Sequence, residues 1–254
     1  MQAISHFLSV TQNANRPILT HYHSFRDEIS GPVAARWVAK MANLLASDLS
    51  PDLFGGDENT PRILINLPAG WQSTFWQVSA NFMGWETRTD TISQDSPSIA
   101  FSFDVHVSDE LVTLEASTAA WRLAHSITPL AMRWRGPLPA GILDALAELM
   151  AQSDQFEYEA LESAPALDNY IAQVDAEEDA LFKAASALGM PTRLGLYTEN
   201  FPSAPLLTRM WLAGHSVVVV DKSHYDAQKA QEIFASEKVQ LAVNEELKAP
   251  HARG

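Results

Sequence analysis

The sequence predicts an α/β protein with two related β-α-β lobes and mostly parallel sheets. Three observations carry that prediction. The runs RILIN and VVVV are short, apolar and rich in β-branched residues without alternation, the pattern of strands buried on both faces. Each lies beside an apolar helical stretch that stops at a glycine. The two units also repeat: Arg62 to Gly84 spans 22 positions and Arg193 to Gly214 spans 21. Both run arginine, strand, proline-containing loop, helix, glycine, strand. So tight a strand-helix-strand series implies a parallel, right-handed crossover.

In chain order, RPILTHYHSFRDEISGPV reads as two short strands around a polar turn. A helix follows, with Ser30 as its N-cap, Pro32 in its first turn, and Val33, Trp37, Met41, Leu44 and Leu45 at helical spacing. Residues 47–61 carry proline, paired glycines and acids, and read as a loop. PRILINLP is a buried strand, 71–83 a helix ended by Gly84, and ETRTDTI a second strand. SIAFSFDVHV and ELVTLEAS are expected as further strands, LPAGILDALAELMAQ as an amphipathic helix, and 168–188 as another helix. The second unit occupies TRLGLYTENFPSAPLLTRMWLAGHSVVVVDK. A last helix in DKSHYDAQKAQEIFASEK, a short strand VQLAV and a polar tail from 245 close the chain. The expected organisation is a first lobe over 1–104, an irregular acidic connecting region with strands and a helix over 105–165, and a second lobe over 166–254. All three are expected to pack as one globular unit.

The 254 residues are 46% hydrophobic and 19% charged, which suits a globular chain and excludes disordered and collagen-like classes. Seventeen basic residues against 31 acidic ones give a net charge of −14. That field repels phosphate, so neither nucleic acid nor an anionic membrane is expected as a partner. The charge is concentrated: residues 136–182 hold 11 acids and no Lys, Arg or His. A solvated helical face accounts for it, and a basic protein partner is the functional expectation. There are no cysteines, which removes disulfides, thiolate nucleophiles and thiolate metal sites together. The first basic residue is Arg16, so MQAISHFLSV lacks the n-region of a secretory signal. The uncharged stretch 63–85 contains Asn66, Gln72, Ser73, Thr74, Gln77 and Asn81, so it reads as a buried strand and helix rather than a membrane span. The expected location is the cytoplasm.

No G-x-G, Walker loop, G-x-S-x-G, H-E-x-x-H or calcium loop is present. His21 and His23 form an H-x-H pair that can share one strand face; two ligands are too few for a tight metal site, and no metal is expected. His215 reads as a half-buried structural residue. In open α/β sheets ligands bind outside the carboxyl ends of the strands. That rule picks Asn66, Trp71, Tyr197, Glu199 and Asn200 as ligand-crevice candidates, and none as a catalytic residue.

From ISGPVAARWVAKMANLLASDL through PRILINLPAGWQSTFWQVSANFMGWE, the sequence resembles the start of the adenylate-forming, AMP-binding superfamily of acyl-CoA synthetases, luciferases and peptide-synthetase adenylation domains. The matching positions are Ile29 and Ser30, Ala42 and Leu45, Ile63 to Leu67, and Gly84. Gly214, Val217 to Val220, Ile233 and Val239 fall on the superfamily's later strand-helix-strand stretch. Through RWVAKMANLL, LPAGILDALAE and IFASEKV, the whole chain resembles a family of short bacterial proteins similar to the N-terminal part of those enzymes.

The resemblance implies a Gly/Ser/Thr-rich phosphate loop ending in Pro-Lys-Gly, where backbone N–H groups and a lysine neutralise phosphate. The corresponding region here, FEYEALESAPALDNYIAQVDAEEDALF, has no glycine and no lysine and is strongly acidic. An adenine site and a C-terminal domain with a catalytic lysine, also implied, have no counterpart in these 254 residues. The expectation is therefore a non-catalytic, truncated homologue acting in ligand or protein binding, without a cofactor. The alternative is an enzyme or a binder of small acyl or aryl acids. A truncated scaffold is also expected to leave apolar surface for a homodimer.

Overall fold

The computed structural model describes residues 3–14, 16–49, 60–89, 103–158 and 167–244. Two compact units share it: Met1–His6 with Arg36–Tyr170, and Phe7–Ala35 with Ile171–Gly254. Both are α/β, and both sheets are mostly parallel.

In the first unit β3 (Arg62–Asn66), β4 (Glu86–Arg88), β5 (Val105–Ser108), β6 (Trp121–Ala124) and β7 (Ile142–Asp144) form an all-parallel sheet in the order β4-β3-β5-β6-β7. The helix α3 (Trp71–Phe82) connects β3 to β4. It buries Phe75, Trp76 and Val78, and Ser79 Oγ donates to the Val38 carbonyl of α2 (Gly31–Ala46) at 3.2 Å. In the second unit β1 (Pro17–Tyr22), β2 (Arg26–Ser30), β8 (Arg193–Thr198), β9 (Ser216–Asp221) and β10 (Leu241–Asn244) take the order β10-β8-β9-β1-β2. Only the β1–β2 hairpin is antiparallel. The four valines of β9 are buried because parallel neighbours β8 and β1 flank the strand while helices cover its faces. One face carries Val218 and Val220 against Ala230, Ile233 and Phe234 of α9 (Ala227–Ser236).

The internal repeat is real at the level of topology. β3-α3-β4 and β8-α8-β9, with α8 at Ala204–Leu212, are both parallel crossovers, and β5 or β10 joins the free side of the first strand. Both helices end in the same way. Gly84 (φ 77°) and Gly214 (φ 78°) are left-handed, and the next residue donates back: Trp85 N–H to Ala80 O, and His215 N–H to Met210 O, each 2.9 Å. α9 ends with the same bond, from Val239 N–H to Phe234 O at 2.9 Å, but its left-handed residue is Lys238 (φ 55°). A side chain there is strained, so Lys238→Gly is expected to raise stability by about 1 kcal/mol and Gly214→Ala to lower it by about as much. Urea denaturation of the two variants checks both signs.

Three sequence readings are corrected. ELVTLEAS is a helix over its centre, α4 (Leu111–Ala116), rather than a strand. The chain turns at Ser108, whose Oγ accepts from Glu110 N–H (3.0 Å), and Leu114 then packs with Ala124 and Ile142 while Val112 is 71% exposed. That is helical, not alternating, burial. LPAGILDALAELMAQ is split into β7 and α5 (Ala145–Ala151), because Asp144 caps the helix by accepting from Leu146 and Ala147 N–H. The single helix expected over 168–188 is two, α6 (Leu167–Ile171) and α7 (Ala176–Ser186), with Asp175 capping the second. An N-terminal helix, α1 (Ala3–Gln12), adds to the reading. Most of the 47–61 loop, the outer parts of the strands expected around 90–102, and the tail from 245 lie outside the described residues.

Candidate functional site

The carboxyl edge of each sheet is built from different chemistry. In the first unit, Asn66 ends β3, Ser108 ends β5, and Thr113 rises from α4 beside them. Asn66 Nδ2 donates to Ser108 Oγ (3.3 Å), and Thr113 Oγ1 donates to the same oxygen (2.8 Å). Asp109 follows Ser108, and its carboxyl is pushed up first by burial and further by neighbouring Glu110. Trp71 opens α3 and packs its ring on Trp37 (5.7 Å between centroids) and Phe75 (5.6 Å). The N-cap of α3 is Gly70, which has no side chain to cap the helix. With Ser108 buried as the hub of these bonds, the edge offers an amide, the Thr113 hydroxyl, a half-buried carboxyl and an aromatic wall, a set suited to orienting a small polar or aromatic ligand.

Beyond that rim two histidines are buried outright. His125, next after β6, is 1% exposed, and His106 in β5 is 2% exposed. Neither ring nitrogen of either has a hydrogen-bond partner among the described residues, nor has Trp76 Nε1, whose ring meets His125 edge-on at 6.3 Å. Burial lowers both imidazoles to about 4, so both are neutral at pH 7.

In the second unit, Tyr197 turns into the sheet's packed face, its hydroxyl donating to Tyr225 O at 3.0 Å. Glu199 and Asn200 are exposed in the following turn, where Asn200 N–H donates to Thr198 Oγ1 (3.0 Å). The H-x-H pair lies at this edge: His21 stacks on His23 (4.4 Å) and packs against Phe201 (4.9 Å). His21 is held down to about 4, first by burial and then by His23, with Asp221 pulling the other way. His215 is buried at the opposite edge, its Nδ1 accepting from Thr192 N–H at 3.0 Å, and burial lowers its pKa. No group of three or more His, Asp or Glu among the described residues is placed to hold a metal ion, and no helix among them is long and apolar enough to cross a membrane.

Asn66 and Trp71 therefore share one unit's strand-end region, and Tyr197, Glu199 and Asn200 the other's. Sequence reasoning missed Ser108, Asp109, Thr113 and His125. VHVSD and RLAHS each leave a parallel strand on polar residues, which is the signal that was available. Two acids of the middle segment are engaged locally. Glu178 accepts from both the N–H (2.8 Å) and Oγ (2.5 Å) of Ser203, the N-cap of α8. Asp179 pairs with Arg209 and Lys183, each at 2.6 Å.

No family model and no curated protein matches the chain. Solved structures do. The amide bond synthetase McbA from Marinactinospora thermotolerans matches 94% of this chain and 48% of its own, with a TM-score of 0.57 and 14% identity. An acyl-CoA synthetase from Brucella canis matches 96% and 47%, with 0.58 and 14%. The N-terminal subdomain of Klebsiella oxytoca NpsA, solved in complex with 3-hydroxyanthranilyl-AMSN, matches 95% and 59%, with 0.54 and 12%. The chain spans about half the length of the first two. Its α/β architecture is that of the N-terminal part of adenylate-forming enzymes.

Proposed function

We propose that this protein binds a small carboxylic acid or acyl group at the carboxyl edge of the first unit's sheet and does not itself adenylate it. One observation carries the second half of that reading. Residues 156–182, where the sequence resemblance puts a phosphate loop, hold eight acids and no Gly, Lys, Arg or His. A nucleoside triphosphate meets repulsion there, with no lysine to offset it and no glycine to bring backbone N–H groups close. The first half is supported by the Asn66–Ser108–Thr113 cluster beside Asp109 and the Trp71 wall. The likeness to an NpsA N-terminal subdomain that was solved with a ligand fits the same reading. Asp109, with its raised carboxyl beside this cluster, favours an enzyme instead.

A thermal-shift series with ATP-Mg, AMP, CoA and a panel of carboxylic acids tests this. A bound acid at a hundredfold its dissociation constant adds about 2.7 kcal/mol. The expected result is a shift with one or more acids that shrinks in Asn66→Ala and Trp71→Ala, and none with ATP-Mg. A shift with ATP-Mg, or acid-dependent turnover that dies in Asp109→Asn, overturns the non-adenylating reading. No shift with any acid overturns the binding one.

A further inference from the structure

At the amino-terminal edge of the second unit's sheet, opposite the edge that holds Tyr197, Glu199 and Asn200, two cavities share one residue, Arg16. The first, of about 280 Å³, is walled by Val10, Ile18, Pro191 and Trp211. Trp211 is fixed in that wall, since its indole Nε1 donates to Ile18 O at 3.0 Å. The second, of about 390 Å³, is lined by charge: Arg16, Lys238, Arg193, Glu28 and Glu237. Its two acids are engaged, Glu237 by Arg193 and Arg26, and Glu28 by Arg26. Arg16 and Lys238 have no carboxylate partner among the described residues. In a chain of net charge −14, two uncompensated cations on adjoining cavities stand out. Lys238 is moreover the residue held in a left-handed conformation that a glycine takes at the two equivalent helix ends. A strained residue kept where glycine is easier points to a use for its side chain.

We propose that this paired cavity is a second binding site, for a small aromatic carboxylate. The ring enters the apolar chamber against Trp211 and Pro191, and the carboxylate meets the Arg16 guanidinium, which presents paired donors to both its oxygens. Lys238 adds charge from the far side. At about 30 Å³ for each water-sized group, the first chamber has room for roughly nine such groups, the size of benzoate. His215, which also lines this chamber, is neutral at pH 7, and its Nδ1 is taken by Thr192 N–H, so the cationic recognition falls to Arg16 and Lys238.

Calorimetric titration of the full chain with benzoate, benzamide and inorganic phosphate tests the site. Benzoate is expected to bind, with affinity falling at least tenfold in Arg16→Gln, severalfold in Lys238→Gln, and at least tenfold when benzamide replaces it. Both residues are exposed, so the variants keep the fold, which circular dichroism checks. Val10→Trp fills the chamber and is expected to abolish binding. No binding of benzoate, equal binding of benzamide, or full affinity in Arg16→Gln overturns the proposal. Loss in Asn66→Ala with retention in Arg16→Gln also overturns it, and assigns the acid to the first unit instead. Phosphate binding as tightly as benzoate overturns the aromatic half and leaves a plain anion site.

Discussion

Replacing Glu237 with alanine is expected to destabilise the protein by about 3–5 kcal/mol, the cost of breaking a buried ion pair from one side. Arg193 leaves β8 with its side chain 6% exposed, and Nη2 donates to Glu237 Oε2 at 2.6 Å and to Thr20 Oγ1 at 2.9 Å. Nη1 donates to Pro17 O at 3.1 Å, so one guanidinium joins β8 to β1 across β9 and to the end of α9. The other Glu237 oxygen accepts from Tyr22 OH (2.6 Å) and Arg26 Nη2 (2.9 Å). Alanine leaves Arg193 buried with no anion, while Glu237→Gln keeps an acceptor and is expected to lose less. Urea denaturation of the two variants measures this. A loss under about 1 kcal/mol in Glu237→Ala would show that water reaches the guanidinium and that the network is ornamental. Burial alone would raise the Glu237 carboxyl, but bonds from Tyr22, Arg26 and Arg193 outweigh it and hold it below the usual range. Its folded-state pKa is thus depressed. The stabilisation is complete above the unfolded-state value and is lost as pH falls through the folded one.

Mild acid is expected to weaken the protein earlier, through histidines that burial keeps neutral: His21 and His215 in the second unit, and, most deeply buried, His106 and His125 in the first. His106 and His125 stay neutral in the fold down to about 4, whereas in the unfolded chain each takes up a proton near 6.5. Between those values the unfolded state binds more protons, so stability falls as pH falls. From pH 6.5 to 5 the cost is about 1.6 kcal/mol for each histidine, or about 3 for the pair. The window lies above that of Glu237, so the two acid effects separate along the pH axis. The unpartnered ring nitrogens add a second expectation. His125→Phe removes both the proton uptake and two buried polar atoms beside Trp76, so at pH 7 it is expected to be neutral or stabilising. Melting temperatures of wild type and His125→Phe between pH 7 and 4.5 decide it. Parallel curves would mean that His125 is protonated in the folded protein and that its burial is relieved by solvent.

The candidate site was half legible for an identifiable reason. Asn66 and Trp71 follow an apolar run whose end the sequence marks with proline and glycine, so the strand-end rule finds them. Ser108, Asp109 and Thr113 were hidden because LVTLEA has six residues, too few to separate a period of 3.6 from one of 2. Only the burial of Leu114 beside an exposed Val112 shows which applies.

What the sequence by itself determined is local. Gly84 and Gly214 end α3 and α8 because a left-handed residue there suits glycine, and the valines of β9 declare a strand with no wet face. The tertiary structure decided everything that needs two distant segments. It set β1 beside β9, with Leu19 opposite Val217, and added β5, β6 and β7 to the sheet of β3. It also closed Arg193 on Glu237 and brought Arg16 and Lys238 to adjoining cavities. The physical reason is that backbone preference and hydrophobic period are written residue by residue, while apolar burial has no direction and names no partner. One buried parallel strand reads like another, and only the packed whole selects among them.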